Sequence, residues 1–162
     1  MKDAYGIEST VDELKTESED LFIDLLPGRA ELMPGAMAML ELVGQLGLPK
    51  AITTSSQPQL VTPLLEMKGI TDCFQFVLTA ADVTEHKPHP QIYEKAAEMF
   101  GITTKELLVF EDSQVGCAAA VASGACTVAI PSKHKGEQNY SGAQLIVDSL
   151  EDPAIRRLVE SD

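Results

Sequence analysis

The chain has 162 residues, of which 44% are hydrophobic, and both values are those of one ordinary globular domain. Its formal net charge is −13 with only 12 Lys and Arg residues, which argues against nucleic acid or an anionic membrane as a partner. The three cysteines lack metal-type spacing, which fits free thiols in a reducing compartment. The sequence also has no apolar run of about 18 residues and no apolar signal core. Together these features predict a cytoplasmic protein.

The first predicted element is an amphipathic helix over residues 10–26. Its apolar residues recur at helical spacing, with acidic residues between them. Thr10, followed three residues later by Glu13, forms a capping box at its start. Pro27-Gly28 is expected to end the helix, and Pro34-Gly35 opens a second one.

From residue 51 onward, short apolar strands alternate with helices. Strands are predicted at residues 51–52, 74–78, 107–110, 126–130 and 145–147. Helices are predicted at 58–68, at 91–100 and between Ser113 and Gly124, with a final turn at 153–159. This alternation predicts an α/β fold with a doubly wound parallel sheet.

Polar side chains follow three of these strands, and they comprise Thr53, Thr54, Ser55 and Ser56 after the first, Lys87 after the second, and Glu111 with Asp112 after the third. The carboxyl ends of parallel strands meet at one edge of a sheet, so these groups are expected to converge. Hydroxyls at a helix start suit phosphate oxygens, a lysine supplies positive charge, and two carboxylates suit Mg²⁺. The pattern therefore predicts a phosphoryl-transfer centre.

Less specific interpretations exist for single parts of this pattern. A Glu-Asp pair alone is more often a solvated turn, because loops are polar by default. His86 and His89 flank Lys87 and offer a metal or acid–base pair, but two histidines lack the three or four ligands of a metal site, which favours exposed loop residues. A receiver-like or nucleotide-binding α/β domain has no use for these groups, and no GxGxxG or Walker loop is present.

The sequence resembles the haloacid dehalogenase superfamily, in the branch of β-phosphoglucomutase and small phosphatases with a helical cap. AITTSS (51–56) resembles the second motif of that family, HKPHPQIY (86–93) the third, KPxPxxY, and VFEDSQVG (109–116) the fourth. The resemblance covers nearly the whole chain from about Thr10. It implies a Rossmann-like core over residues 31–162 and a remnant of a helical cap over residues 1–30.

The resemblance also implies a role for each candidate residue. Thr54 and Lys87 would bind the transferring phosphate as catalytic groups, with Ser55 and Ser56 supporting them. Asp112 would ligate Mg²⁺ directly, and Glu111 directly or through water. The resemblance implies that the protein is a phosphatase, or else a phosphosugar mutase, and that its substrate is a small phosphorylated metabolite. It also implies a monomer or a homodimer.

The family's first motif, DxDG[T/V], carries the nucleophilic aspartate and is not found in the sequence. The nearest candidate, Asp24, lies in a stretch whose periodicity is helical. We therefore expect a truncated sequence of a working hydrolase that lacks the first core strand. That strand lies mid-sheet in the family, between those bearing the second and fourth motifs, so its loss would leave a gap. The alternative is a catalytically inactive remnant that binds phosphate and metal or serves in assembly.

Overall fold

The computed structural model describes residues 10–132 and 138–160. Its first helix, α1 (Val11–Arg29), begins at the predicted capping box: Glu13 N–H donates to Thr10 Oγ1 (3.1 Å), and Thr10 N–H donates to Glu13 Oε2 (2.6 Å). The predicted end at Pro27-Gly28 is wrong, because the helix continues to Arg29. A proline removes one backbone donor, but its fixed φ of about −65° is compatible with a helical backbone.

Helices and short strands alternate through the rest of the chain. The helices are α2 (Ala36–Gln45), α3 (Pro58–Lys68), α4 (Gln91–Phe100), α5 (Gln114–Ser123) and α6 (Pro153–Val159). The strands are β1 (Ala51–Thr53), β2 (Phe76–Leu78), β3 (Leu108–Glu111), β4 (Cys126–Ala129) and β5 (Leu145–Ile146). Helices α3 and α4 end as predicted, where Gly69 and Gly101 adopt the left-handed backbone (φ 64° and 72°) that favours glycine.

All five strands differ from their predicted limits by one or two residues at an end, and β2 and β3 show why. The strand predicted from residue 74 begins at Phe76, because Thr71–Cys73 form a 3-10 turn. Strand β3 extends one residue further and includes Glu111, which pairs with Ala129 and whose carbonyl accepts from Ile130 N–H (2.7 Å). Pairing with the neighbouring strand, rather than local polarity, sets this strand end. The backbone of Glu111 is consequently fixed in the sheet.

Every strand pair is parallel, which confirms the predicted α/β class. Strand β1 pairs with β2, from Ala51 opposite Phe76 to Thr53 opposite Leu78, and β4 pairs with both β3 and β5. Over residues 10–132 and 138–160, however, no pairing joins β1 to β3, so the strands form two groups rather than one continuous sheet. The break lies between the strands that carry the hydroxyls and the acids.

Helices α4 and α5 link the two groups, because α4 packs against β1, α5 packs against β3 and β4, and the two helices contact each other. One buried cluster contains Leu78 of β2, Ile92 of α4, Val109 of β3 and Ala119 of α5. The small buried residues of α5 let this helix approach the strands closely, as dense interior packing requires. In the described part of the chain, no helix is long and apolar enough to cross a membrane.

Candidate active site

The carboxyl ends of β1 and β3 open into a cavity of about 440 Å³. All six residues that the sequence predicts for the site line it, namely Thr54, Ser55, Ser56, Lys87, Glu111 and Asp112. Apolar side chains complete the wall, and they are Met33, Phe110, Ile130 and Leu150. The structure therefore brings the predicted hydroxyls, lysine and acids together, while the role of each residue stays a prediction.

The hydroxyl residues occupy the turn between β1 and α3. Thr54 N–H donates to the carbonyl of Leu78 (2.9 Å), which fixes the turn to the neighbouring strand. Thr54 Oγ1 accepts from Ser56 N–H (3.1 Å). Ser55 and Ser56 are exposed just before α3, so three hydroxyls lie close to a helix N-terminus, where backbone N–H groups favour anions.

Lys87 extends from the loop between β2 and α4 to the space between β1 and β3. Its Nζ donates to Glu111 Oε1 (2.5 Å) and to the carbonyl of Thr53 (3.3 Å), and it lies 4.9 Å from the centre of the Tyr93 ring. The peptide bond to Pro88 is cis. Only 7% of the lysine side chain is exposed, so its charge is largely removed from water.

The carboxylate of Glu111 has a partner at each oxygen. Oε1 accepts from Lys87 and from the hydroxyl of Tyr93, while Oε2 accepts from Ser113 Oγ (3.3 Å). Burial, together with the negative charge of Glu111, raises the pKa of Tyr93 far above its ordinary value. The phenol therefore stays protonated and donates to the carboxylate. A buried carboxylate needs such partners, because an unpaired one would be strongly destabilising.

A glycine leaves room for this carboxylate. Gly116 lies in the first turn of α5, where its N–H donates to Ser113 Oγ (3.1 Å), the cap of that helix. A Cβ atom at this position would lie 2.0 Å from Glu111 Oε2 and 2.2 Å from Glu111 Cδ. No side chain fits at residue 116 while Glu111 keeps its observed position.

Asp112 is exposed at the cavity between β3 and α5. Its backbone carbonyl accepts from the Tyr140 hydroxyl (2.9 Å), which ties the segment after β4 to the site. Among residues 10–132 and 138–160, no group of three or more His, Cys, Asp or Glu side chains could hold a metal. The adjacent carboxylates of Glu111 and Asp112 nevertheless fit Mg²⁺, which is often bound by one or two carboxylates and keeps several waters.

The sequence pattern alone does not identify Tyr93 or Gly116 as site residues. Both lie inside the stretches HKPHPQIY and VFEDSQVG, but their contact with Glu111 follows only from the geometry. Conversely, His86 and His89 are exposed and do not line the cavity, in accord with the simpler interpretation of loop histidines. Asp24 lies within α1, which agrees with the helical interpretation of its stretch.

Residues 2–130 match the family model of the haloacid dehalogenase-like hydrolases. The chain is 29% identical over 149 residues to the bifunctional riboflavin kinase/FMN phosphatase of Arabidopsis thaliana, an alignment that covers 91% of this chain and 39% of that protein. More generally, the chain spans about half the length of the curated relatives that it matches.

Solved structures share the fold. CbbY from Rhodobacter sphaeroides, in complex with phosphate, superposes with a TM-score of 0.82 at 22% identity, covering 90% of this chain and 67% of that one. β-Phosphoglucomutase from Clostridium difficile superposes with a TM-score of 0.75 at 22% identity, covering 96% of this chain and 70% of that one. At these identities the likeness establishes the fold.

Proposed function

The chain belongs to the haloacid dehalogenase-like hydrolase family, and we propose that its site serves Mg²⁺-dependent phosphoryl transfer from a small phosphorylated metabolite. The observation that carries this proposal is the shared cavity, in which a hydroxyl turn, a buried lysine and two acids face one space. Catalysis of phosphoryl transfer consists mainly of positioning and charge neutralisation, and these residue types supply both. The phosphatase among the relatives supports the same class of reaction.

The phosphate would bind between the hydroxyl turn and Lys87. In this proposal Thr54 and Lys87 are the catalytic groups that orient and neutralise the transferring oxygens. Ser55 and Ser56 assist from the start of α3, where hydroxyls and backbone N–H groups are available to an anion.

Glu111 and Asp112 would hold the Mg²⁺ ion. The ammonium of Lys87, 2.5 Å from Glu111 Oε1, supports a cation position at this carboxylate. Asp112 offers further oxygen atoms beside it, at the exposed side of the cavity. When bound, the metal neutralises negative charge on the phosphate oxygens.

The reaction class also needs a nucleophile. The resemblance implies an aspartate in a DxDG[T/V] motif, and the 162 residues contain no such motif. The proposed transfer therefore requires an aspartate from outside this sequence. This observation favours a second candidate, an inactive module that binds phosphate and metal through the same six residues.

Hydrolysis of p-nitrophenyl phosphate in the presence of Mg²⁺ separates the two candidates when it is assayed on the native polypeptide as the cell makes it, because the 162 residues alone lack the nucleophile. Turnover that is lost in Asp112→Ala and kept in Asp24→Ala supports the enzyme; Asp24 is an exposed acid of α1 and serves as the matched control. An absence of turnover, with Mg²⁺-dependent thermal stabilisation by phosphate that Asp112→Ala abolishes, supports the binding module. If Asp112→Ala changes neither quantity, both candidates are wrong.

A further inference from the structure

We propose that Lys87 is an exchangeable counter-ion: it neutralises Glu111 in the ligand-free protein, and a divalent cation bound at Glu111 and Asp112 displaces it towards the phosphate position. The inference rests on the proposed function and describes how that site is regulated. Metal binding would prepare the lysine to receive the anion.

The first observation is that the carboxylate proposed to hold the metal already contacts a cation. Glu111 Oε1 accepts from Lys87 Nζ at 2.5 Å, and the same carboxylate belongs to the proposed metal pair. The side chains of Lys87 and Glu111 are only 7% and 8% exposed, so water compensates little of either charge. A metal ion bound at this carboxylate would lie close to the ammonium, and two cations at such a separation repel strongly in a partly buried site.

The second observation decides which side chain moves. The backbone of Glu111 is fixed in the ladder with β4, and its carboxylate is further held by Tyr93 and Ser113. Lys87 has a long side chain with several rotatable bonds that lines the cavity. Apart from Glu111, it contacts the carbonyl of Thr53 at a long 3.3 Å and the Tyr93 ring at 4.9 Å from its centre. The lysine is therefore the group that yields to an incoming cation.

Displacement of the lysine has two consequences that can be measured. Metal alone should expose the Lys87 amine, which phosphate then covers. Removing the lysine should also strengthen metal binding in the absence of phosphate, because the competing cation is gone. Direct contact between metal and phosphate would couple their binding as well, so only phosphate-free measurements test the role of Lys87.

The first experiment labels the lysines of the wild-type protein with acetic anhydride and maps the products by mass spectrometry. We expect Mg²⁺ alone to raise the labelling rate of Lys87 about tenfold, within the usual range of coupling between sites, and added phosphate to lower it again. Lys95, which is 38% exposed and pairs with Asp82 at 3.9 Å, is the internal control and should not respond.

The second experiment measures Mg²⁺ affinity calorimetrically without phosphate. Lys87→Met should bind Mg²⁺ about tenfold more tightly than Lys95→Met, a variant with the same change in net charge.

The two experiments together distinguish failure of the exchange from failure of the proposed function. Suppose that Mg²⁺ binds and that Asp112→Ala abolishes this binding. If Lys87 labelling then does not change and the two lysine variants have equal affinity, the exchange is refuted and the proposed function stands. If no Mg²⁺ binding depends on Asp112, the proposed function itself fails. The labelling arm uses the wild-type chain and keeps the test valid if Lys87→Met does not fold.

Discussion

Replacing Gly116 with alanine tests whether Glu111 is held in place as tightly as its contacts indicate. The new Cβ would lie 2.0 Å from Glu111 Oε2, whereas ordinary contact begins at 3.4 Å, so the carboxylate must retreat by about 1.4 Å, the difference of the two. This movement displaces the whole carboxylate and so disturbs the contacts that Oε1 makes with Lys87 and with the Tyr93 hydroxyl, the two donors that neutralise and satisfy it.

The expected loss of stability follows from this displacement. Breaking a buried ion pair by losing one partner costs about 3–5 kcal/mol. Alanine in place of glycine within a helix offsets about 0.5–1 kcal/mol of this loss. We therefore expect Gly116→Ala to lower the free energy of unfolding by about 2–4.5 kcal/mol.

Urea unfolding followed by circular dichroism measures this difference. Gly44→Ala is the matched control, because Gly44 also lies inside a helix and its Cβ would meet only Lys50 Nζ, at 3.4 Å. The control should be more stable than the wild type by about 0.5–1 kcal/mol. If Gly116→Ala is as stable as Gly44→Ala, Glu111 is not held as described and the reasoning is refuted.

Three further predictions concern the same group of residues. Tyr93→Phe removes a hydroxyl that donates to a buried carboxylate and should lower the free energy of unfolding by about 1.5–3 kcal/mol in urea; an unchanged midpoint would contradict this. Because the pKa of Tyr93 is raised in the folded state, the unfolded state binds fewer protons than the folded state above about pH 10, and the free energy of unfolding falls as the pH rises further. Tyr93→Phe should reduce this fall, which is measured by comparing the urea midpoints at about pH 9 and 11. Ser113→Ala removes the hydroxyl that caps α5 and donates to Glu111, and should lower the free energy of unfolding by about 1 kcal/mol, whereas Ser113→Thr keeps a hydroxyl and should lose less; equal losses in the two variants would show that the hydroxyl is not the cause.

Helix limits were predictable wherever the cause is local. Pro58 at the first position of α3 and the glycines after α3 and α4 act through their own backbone preferences, so short-range sequence identifies these ends. Strand limits were less predictable. Glu111 belongs to β3 because Ala129 is available to pair with it, and that partner is distant in the chain.

The candidate site was predictable as a set of residues but not as a set of contacts. Thr54, Lys87 and Asp112 follow successive strands, and parallel pairing is enough to bring strand ends to one edge. Order along the chain does not reveal that Lys87 contacts Glu111, nor that the Tyr93 hydroxyl contacts the same oxygen. Those contacts depend on side-chain directions that three separate elements impose.

The sequence alone determined the alternation of strands and helices, the caps of the helices and the six polar residues that line the cavity, because periodicity, backbone preference and residue chemistry act over a few neighbouring positions. Only the tertiary structure decided which charges are removed from water together and which glycine makes this burial possible. The energy of a buried charge depends on every group around it, and in this protein the groups around Glu111 come from a loop, two helices and the ladder with β4.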